Sequence, residues 1–473
     1  MHLKKIINEL ITPILCCLIV IVIHFVDNTY TIVPICSSLI IIYVKFRMLS
    51  KSKKISWISP EIIFLAGFFI LNFSLSILDL FSGSLYRVII DDNVSDLSKL
   101  EAPFYAFYAL ASFFWGTQSY RIKKTLPVNF NNNCTYPSAT LSYVITYFFV
   151  FILVLMIAVV GPSYFFGGYQ GVYGRSGLAN GLYYLAQIFG VSSGALLIIR
   201  ITARGIKKSV FEILHLMPYF VLMVLYLLSG DRGELIYLGS PIGFYIALTQ
   251  SYKKDISTSK LLLIVACALF VVGFLRELRG FDENFLDAVG MILSNLDVFL
   301  MIGIAMTNVG SSGLLVPAAI DQVIENGYVY GTFTLNALLG VFPGIRGALK
   351  DTFDYGGTGY LESASLLSDR LLGVGATSGI GTSSVADLYI DLGLFGVIIG
   401  HFLLGVVATY ISQSCWCSND WKGKFIFAIS LGVFAIVARY SLLPMLVKYI
   451  LFPYVFVLFL RKVSRSILKY RNT

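Results

Sequence analysis

Residues Val210–Gln250 read VFEILHLMPYFVLMVLYLLSGDRGELIYLGSPIGFYIALTQ. Two apolar runs, 210–229 and 235–250, flank a gap in which Asp231, Arg232 and Glu234 crowd together. A helix needs about 20 apolar residues to cross the hydrocarbon core of a bilayer. A gap this short joins two such helices as antiparallel neighbours, and Gly230 and Gly233 allow the tight backbone it requires. The three charges then fall at a membrane face, where charged side chains are costly unless they pair or serve a site.

The rest of the chain repeats the pattern. It is 57% hydrophobic and 13% charged over 473 residues, the composition of a polytopic membrane protein. Twelve candidate spans follow from the apolar runs: 6–26, 30–46, 58–80, 103–120, 139–160, 180–199, 210–229, 235–250, 261–275, 391–413, 425–440 and 443–460. The first span follows Lys4 and Lys5 without a small-residue cleavage site and is read as retained. The expected fold is therefore all-α, an integral membrane protein of about twelve transmembrane helices with one large helical or irregular loop. Three regions result: 1–275 with nine spans and short loops, the loop 276–390, and 391–473 with three spans and a basic tail.

Charge orients this topology. With both termini in the cytoplasm, the inner segments carry 24 of the 35 Lys and Arg residues, as the positive-inside rule requires. The net charge of +9 is thus an orientation signal and implies no nucleic-acid partner. No cysteine falls on the outer side, and there is no disulfide framework or CxxC metal pattern.

Eleven basic residues remain on the outer side: Arg87, Lys99, Arg175, Arg232, Arg276, Arg279, Arg346, Lys350, Arg370, Arg439 and Lys448. Eight are Arg, against seven of the 24 inside. A solubilising charge has no reason to prefer Arg, whereas bidentate binding of phosphate or carboxylate does. Arg87 and Lys99 lie in the acidic loop YRVIIDDNVSDLSKLE and read as solvated charges. Arg175, Arg232, Arg276, Arg279 and Arg439 lie at or near the outer ends of spans.

The loop from Arg276 to Ile390 is about 115 residues long, and a loop of that size is usually functional. Within it, Met291–Val309 resembles a weak span, but a thirteenth crossing would invert the basic C-terminus, so an interfacial or re-entrant helix is expected. Gly310–Gly347 suits backbone that dips toward the membrane while buried in protein or lining a cavity. Further on, Pro343-Gly344-Ile345-Arg346 places an Arg after a turn, and Gly373–Ser384 offers backbone N–H groups and hydroxyls to an anion. Asp387 and Asp391 are one helical turn apart, placed to face one cavity or to cap the helix they precede.

Other chemistries find no support. The four histidines, His2, His24, His215 and His401, all lie outside the long loop. There is no Walker A, HExxH or nucleophile elbow, and no Asp-x-Asp metal pair, so no metal or cofactor is expected.

On these residues the chain resembles the Wzy-type polymerases of O-antigen and related oligosaccharide repeat units. The likeness lies in the dozen spans, the inner termini and the large outer loop before the last three spans. GIGTSSVADLYIDLGLFGVIIG (Gly379–Gly400) is similar to the family's Gly/Ser, acidic, aromatic and Gly-x-x-Gly pattern entering a span. SGDRGELIYLG (Ser229–Gly239) looks like its short charged loop, and Arg346 with Gly357 fits an Arg-x10-Gly spacing. Arg175 departs from that spacing because Ala186 stands at the Gly position.

The resemblance implies an enzyme of the bacterial inner membrane, similar to the GT-C glycosyltransferases, with its site facing the periplasm. It implies transfer of a growing glycan from undecaprenyl diphosphate to the next lipid-linked unit, with undecaprenyl diphosphate released. Membrane lipids and a chain-length regulator are the further partners it implies. For such a reaction, outer guanidiniums would stabilise the diphosphate leaving group: Arg232, Arg279, Arg346 and Arg439 first, then Arg175, Arg370 and Arg276. A carboxylate must serve as base: Asp387 first, then Asp391, Glu362 and Asp369. The alternatives are an O-antigen ligase, disfavoured because no histidine lies in the loop, and a lipid-linked oligosaccharide transporter or flippase, disfavoured because the chain shows no halving.

Overall fold

The computed structural model describes residues 2–26, 30–52, 58–82, 93–120, 135–161, 177–229, 232–250, 294, 311–341, 360, 362–374 and 381–471. Among them the chain is helical and contains no strand. We number the helices α1 (His2–Val26), α2 (Ile32–Ser52), α3 (Pro60–Ser82), α4 (Asp96–Ser119), α5 (Ala139–Val160), α6 (Gly177–Arg204), α7 (Val210–His215), α8 (Met217–Ser229), α9 (Arg232–Leu238) and α10 (Ser240–Gln250). After the long loop begins come α11 (Leu315–Asn326), α12 (Thr332–Leu339), α13 (Ser363–Leu372), α14 (Ser384–Tyr410), α15 (Trp421–Ile436), α16 (Leu442–Leu446) and α17 (Phe452–Arg471).

Eight stretches of the described residues are long and apolar enough to cross a membrane, and Leu10–Val26 is a shorter apolar helix. All eight coincide with spans expected from the sequence. The expected span 103–120 lies within α4, and 235–250 is divided at Gly239 between α9 and α10. The expected span 261–275 lies outside the described residues, as does Met291–Val309 apart from residue 294. α5 shows why such runs become helices. Its residues are apolar on every side, Ser138 caps the start by accepting from the Leu141 N–H at 3.2 Å, and Gly161 ends it at φ 83°.

α4 and the 394–410 arm of α14 form the most extensive helix pair, and they run parallel. A Cβ on Gly116 would overlap the Phe402 carbonyl oxygen, and one on Gly405 would overlap that of Phe113. Only glycine permits this approach, the small-residue packing by which helices associate in lipid. Beneath it, Lys45 of α2 pairs with Glu61 of α3, both buried, and donates to Thr117 Oγ1 of α4 at 2.8 Å. The same end carries the contact of Thr135 with Asn419 and the bond from Arg200 to the Pro137 carbonyl. We call it the basic end.

At the opposite end, α14 doubles back. Gly393 has φ 65° and ψ −156° inside the helix, and Ser384 Oγ lies 3.1 Å from His401 Nε2. In a straight helix those residues would stand about 25 Å apart. Residues 384–392 therefore form a short arm folded onto 394–410, and a Cβ on Gly396 would lie 2.6 Å from the Leu388 carbonyl oxygen. Tyr328 occupies the space beside Gly393, 3.0 Å from where its Cβ would be. The span expected from 391 thus acquires an inserted arm before it, and Asp387 and Asp391 sit on that arm.

α11 is the second inserted element. Leu315–Gln322 are buried, and the preceding turn reaches Leu71 midway along α3. Its far end is held by Asp321, which accepts from the Ser95 N–H at 2.8 Å and from the Ser95 and Ser98 hydroxyls at 2.6 Å each. Of the segment 310–347 expected to dip inward, residues 311–341 are described. Burial alone would raise the Asp321 pKa, but the bonds from Ser95 and Ser98 hold it below the ordinary carboxylate value.

Two outcomes follow from these anchors. Glu61→Gln leaves the Lys45 ammonium buried without a counter-charge, and thermal unfolding in detergent should show a loss of about 3–5 kcal/mol. Adding Lys45→Met should restore much of that loss. Because the folded pKa of Asp321 is depressed, its contribution is complete above the unfolded value of about 3.9 and disappears as pH falls through the folded value. The melting temperature of wild type should therefore drop more steeply below about pH 4 than that of Asp321→Asn; equal acid slopes would show that this anchor is not stabilising.

Candidate active site

Of the charged gap between the two apolar runs, Gly230 and Asp231 lie outside the described residues, and the start of α9 that follows lies against the segment joining α15 to α16. Ser229 Oγ donates to the Tyr226 carbonyl at 3.0 Å, which closes α8. Helix α9 starts at Arg232, and a Cβ on Gly233 would lie 2.6 Å from the Tyr440 hydroxyl. Arg439 precedes that tyrosine at the end of the 3₁₀ turn Val437–Arg439 and is exposed. The backbone of Arg232–Gly233 and the residue pair Arg439–Tyr440 therefore share one edge of the bundle, opposite to the basic end. α9 is pressed close here because Gly432 of α15 leaves room for it: a Cβ there would lie 2.7 Å from the Tyr237 Cα.

A cavity of about 100 Å³ opens beside this edge, lined by Tyr184, Gln187, Glu234, Tyr237, Tyr440 and Lys448, with Tyr449, Ile436 and Met445 completing the wall. Lys448 lies in the π-helical turn Val447–Leu451, a local widening often found at functional sites. Its ammonium sits over the Tyr184 ring, 3.0 Å from the centroid, and 5.1 Å from that of Tyr449, so the aromatic faces stabilise a cation that the apolar span would otherwise exclude. Glu234 and Glu362 are close enough for their charges to act on it. Gln187 is fully buried: its Oε1 accepts from the Tyr449 hydroxyl at 3.2 Å, while its Nε2 has no partner among the described residues.

The carboxylates expected from the sequence divide by environment. Asp387 is 2% exposed and accepts from the Ser363 hydroxyl and from Thr382 Oγ1 at 3.3 Å, with the Ser441 hydroxyl also turned to it. It ties the start of α13 and the start of α14 to the residue after Tyr440. Asp391 is fully buried, and its two oxygens accept from the N–H groups of Phe333 at 3.1 Å and Thr334 at 2.8 Å. It caps α12, so the two aspartates face different partners. Glu362 stands at the N-cap of α13, half-buried, next to Ser363 and near Lys448. Asp369 accepts from the Tyr360 hydroxyl at 3.0 Å.

The arginines divide likewise. The terminal nitrogens of Arg370 are engaged by both oxygens of Glu325, one bond at 2.8 Å, with Gln322 Oε1 at 3.2 Å. That fork fastens α13 to α11. Arg439 is paired with no described side chain. Arg232 is placed by its backbone at the start of α9, while Arg175, Arg276, Arg279 and Arg346 lie outside the described residues. Sequence reasoning counted Lys448 among the outer cations but assigned it no role, and it passed over Tyr184, Gln187 and Tyr440. The one available signal was a lone lysine inside the last apolar run.

No group of three or more His, Cys, Asp or Glu side chains among the described residues is arranged to hold a metal ion. The site instead presents cations, carboxylates and tyrosines at one end of an apolar helical bundle. No curated protein and no solved structure shows significant similarity to the chain. The family model described as O-antigen polysaccharide polymerase Wzy matches residues 9–471. With nearly the whole chain matched and its helices apolar enough to span a membrane many times, the protein belongs to the Wzy family of O-antigen polysaccharide polymerases.

Proposed function

We propose that the protein polymerises undecaprenyl-diphosphate-linked repeat units at the periplasmic face of the bacterial inner membrane, in the manner of a GT-C-type glycosyltransferase. The observation that supports this reading beyond family membership is the small polar cavity lined by Gln187, Glu234, Tyr237, Tyr440 and Lys448, with Gly233 packed on the Tyr440 hydroxyl and the Glu362 charge acting on Lys448. In the reaction, an acceptor hydroxyl of the next lipid-linked unit attacks the anomeric carbon of the growing glycan. The bond from that carbon to the diphosphate oxygen breaks, and undecaprenyl diphosphate leaves with the bonding electrons. Negative charge grows on the leaving oxygens, and we assign its stabilisation to the guanidiniums of Arg439 and Arg232. Arg175, Arg276, Arg279 and Arg346 are the further candidates for this contact.

Among the carboxylates, Glu362 is assigned the acceptor proton, because it is half-buried with its charge acting on Lys448, while both oxygens of Asp391 already hold α12. Asp387 acts as a positioning residue: its bonds fix Ser363, and hence Glu362, relative to the Tyr440–Ser441 segment. Arg370 supports α13 through Glu325 and stays out of the diphosphate contact. A chain-length regulator in the same membrane is the expected protein partner.

Purified protein given a lipid-linked repeat unit should produce a ladder of longer lipid-linked glycans. Arg439→Ala should slow ladder formation by about 10²–10³-fold, and Arg439→Lys should not restore it, since lysine lacks the fork. Glu362→Gln should cost about 10²–10⁴-fold. Arg370→Ala should polymerise within a few-fold of wild type. An Arg439→Ala protein that polymerises normally would overturn the diphosphate assignment. Transfer to a lipid A-core acceptor would mark a ligase, and no new glycosidic bond a transporter.

A further inference from the structure

A second cavity lies away from the proposed active site, at the basic end. It measures about 650 Å³, within the range of ligand pockets of roughly 300–1,000 Å³. Its walls come from the C-terminal turns of α6 and α10, the Gly205–Lys208 turn and the start of α15. Four cations line it, Arg204, Lys207, Lys208 and Lys424, and no Asp or Glu does. The remaining wall is largely apolar, including Tyr245 and Leu248.

The positive excess here is built in. Glu212 accepts from both Arg200 at 2.9 Å and Arg204 at 2.7 Å, so one carboxylate serves two guanidiniums and the cluster retains a net positive charge. Lys207 and Lys208 are carried on a 3₁₀ turn launched by Gly205 at φ 82°, both exposed. Lys424 is only 8% exposed and lines the cavity from the start of α15. Concentrated positive charge beside low-dielectric walls attracts an anion. A free phosphate has no use for the apolar wall, whereas a phospholipid has both a phosphodiester for the cations and an acyl stem for the wall. Basic pockets between membrane helices recognise headgroups on the same principle.

We propose that this cavity is a binding site for the phosphodiester headgroup of an anionic phospholipid. Lys207 and Lys208 gather the phosphate, Arg204 and Lys424 hold it at depth, and the chain lies along Tyr245 and Leu248. The site is separate from the glycan chemistry, and its occupancy is expected to hold the ends of α6, α10 and α15 together.

The test uses the full-length protein, delipidated in mild detergent and titrated with phosphatidylglycerol, phosphatidylcholine or inorganic phosphate. Binding is read by native mass spectrometry and by melting temperature. Wild type should retain one phosphatidylglycerol and gain several degrees, and phosphatidylcholine should do neither. Lys207→Gln with Lys208→Gln, both at exposed positions, should weaken phosphatidylglycerol about 10- to 30-fold. Lys424→Gln should do the same where it folds. Undiminished phosphatidylglycerol binding in the double variant would overturn the site. An equal shift from inorganic phosphate at matched concentration would overturn the lipid as its ligand.

Discussion

Gly116 and Gly405 bring the backbones of α4 and α14 into direct contact, each placed where a side chain would collide with a carbonyl oxygen of the other helix. In lipid no hydrophobic force draws two apolar helices together, so contact of this closeness has to come from shape. The Lys45–Glu61 pair locks the same region at the basic end, through Thr117 of α4. With the 394–410 arm held against α4, residues 384–392 have one way to stay in the bundle, which is to turn back at Gly393. The positive φ there requires glycine. Asp391 on the returned arm then caps α12, and the Ile390 carbonyl accepts from the Val329 N–H at 3.0 Å. The long loop is thus pinned to the bundle by hydrogen bonds that start from one helix–helix contact.

The same residue types serve two ends in this protein, and their partners tell them apart. Arg370 and Asp391 satisfy each other's counterparts within the fold: the first meets Glu325, the second a helix N-terminus. Arg439 is exposed and paired with no described side chain, while Lys448 lies over the Tyr184 ring in the small cavity with the charges of Glu234 and Glu362 acting on it. Stability and chemistry draw on one pool of charged side chains, and folding withdraws those that can be satisfied internally.

The opening turn shows what a sequence can carry. Three charges in a six-residue gap between spans already implied a rigid element at a membrane face, and the structure sets Gly233, at the end of that gap, against Tyr440. Lys448, Tyr184 and Gln187 were not legible in the same way. With 29 Tyr and 37 Phe in the chain, an aromatic in a span carries no signal of its own, and packing brings Tyr184 and Gln187 of α6 to Lys448, more than 250 residues later in the Val447–Leu451 turn. The doubled-back arm of α14 was hidden for a related reason: apolar composition runs unbroken through Gly393, and hydropathy records length without direction.

By itself the sequence determined the membrane class, the positions of most helices, the uneven placement of charge and the family, because each depends on local composition and on the order of segments along the chain. Only the tertiary structure decided which acids and arginines among the described residues are engaged in holding helices. That choice depends on distances between side chains remote in sequence, and a charge becomes structural or functional according to whether a partner lies within a few ångströms of it.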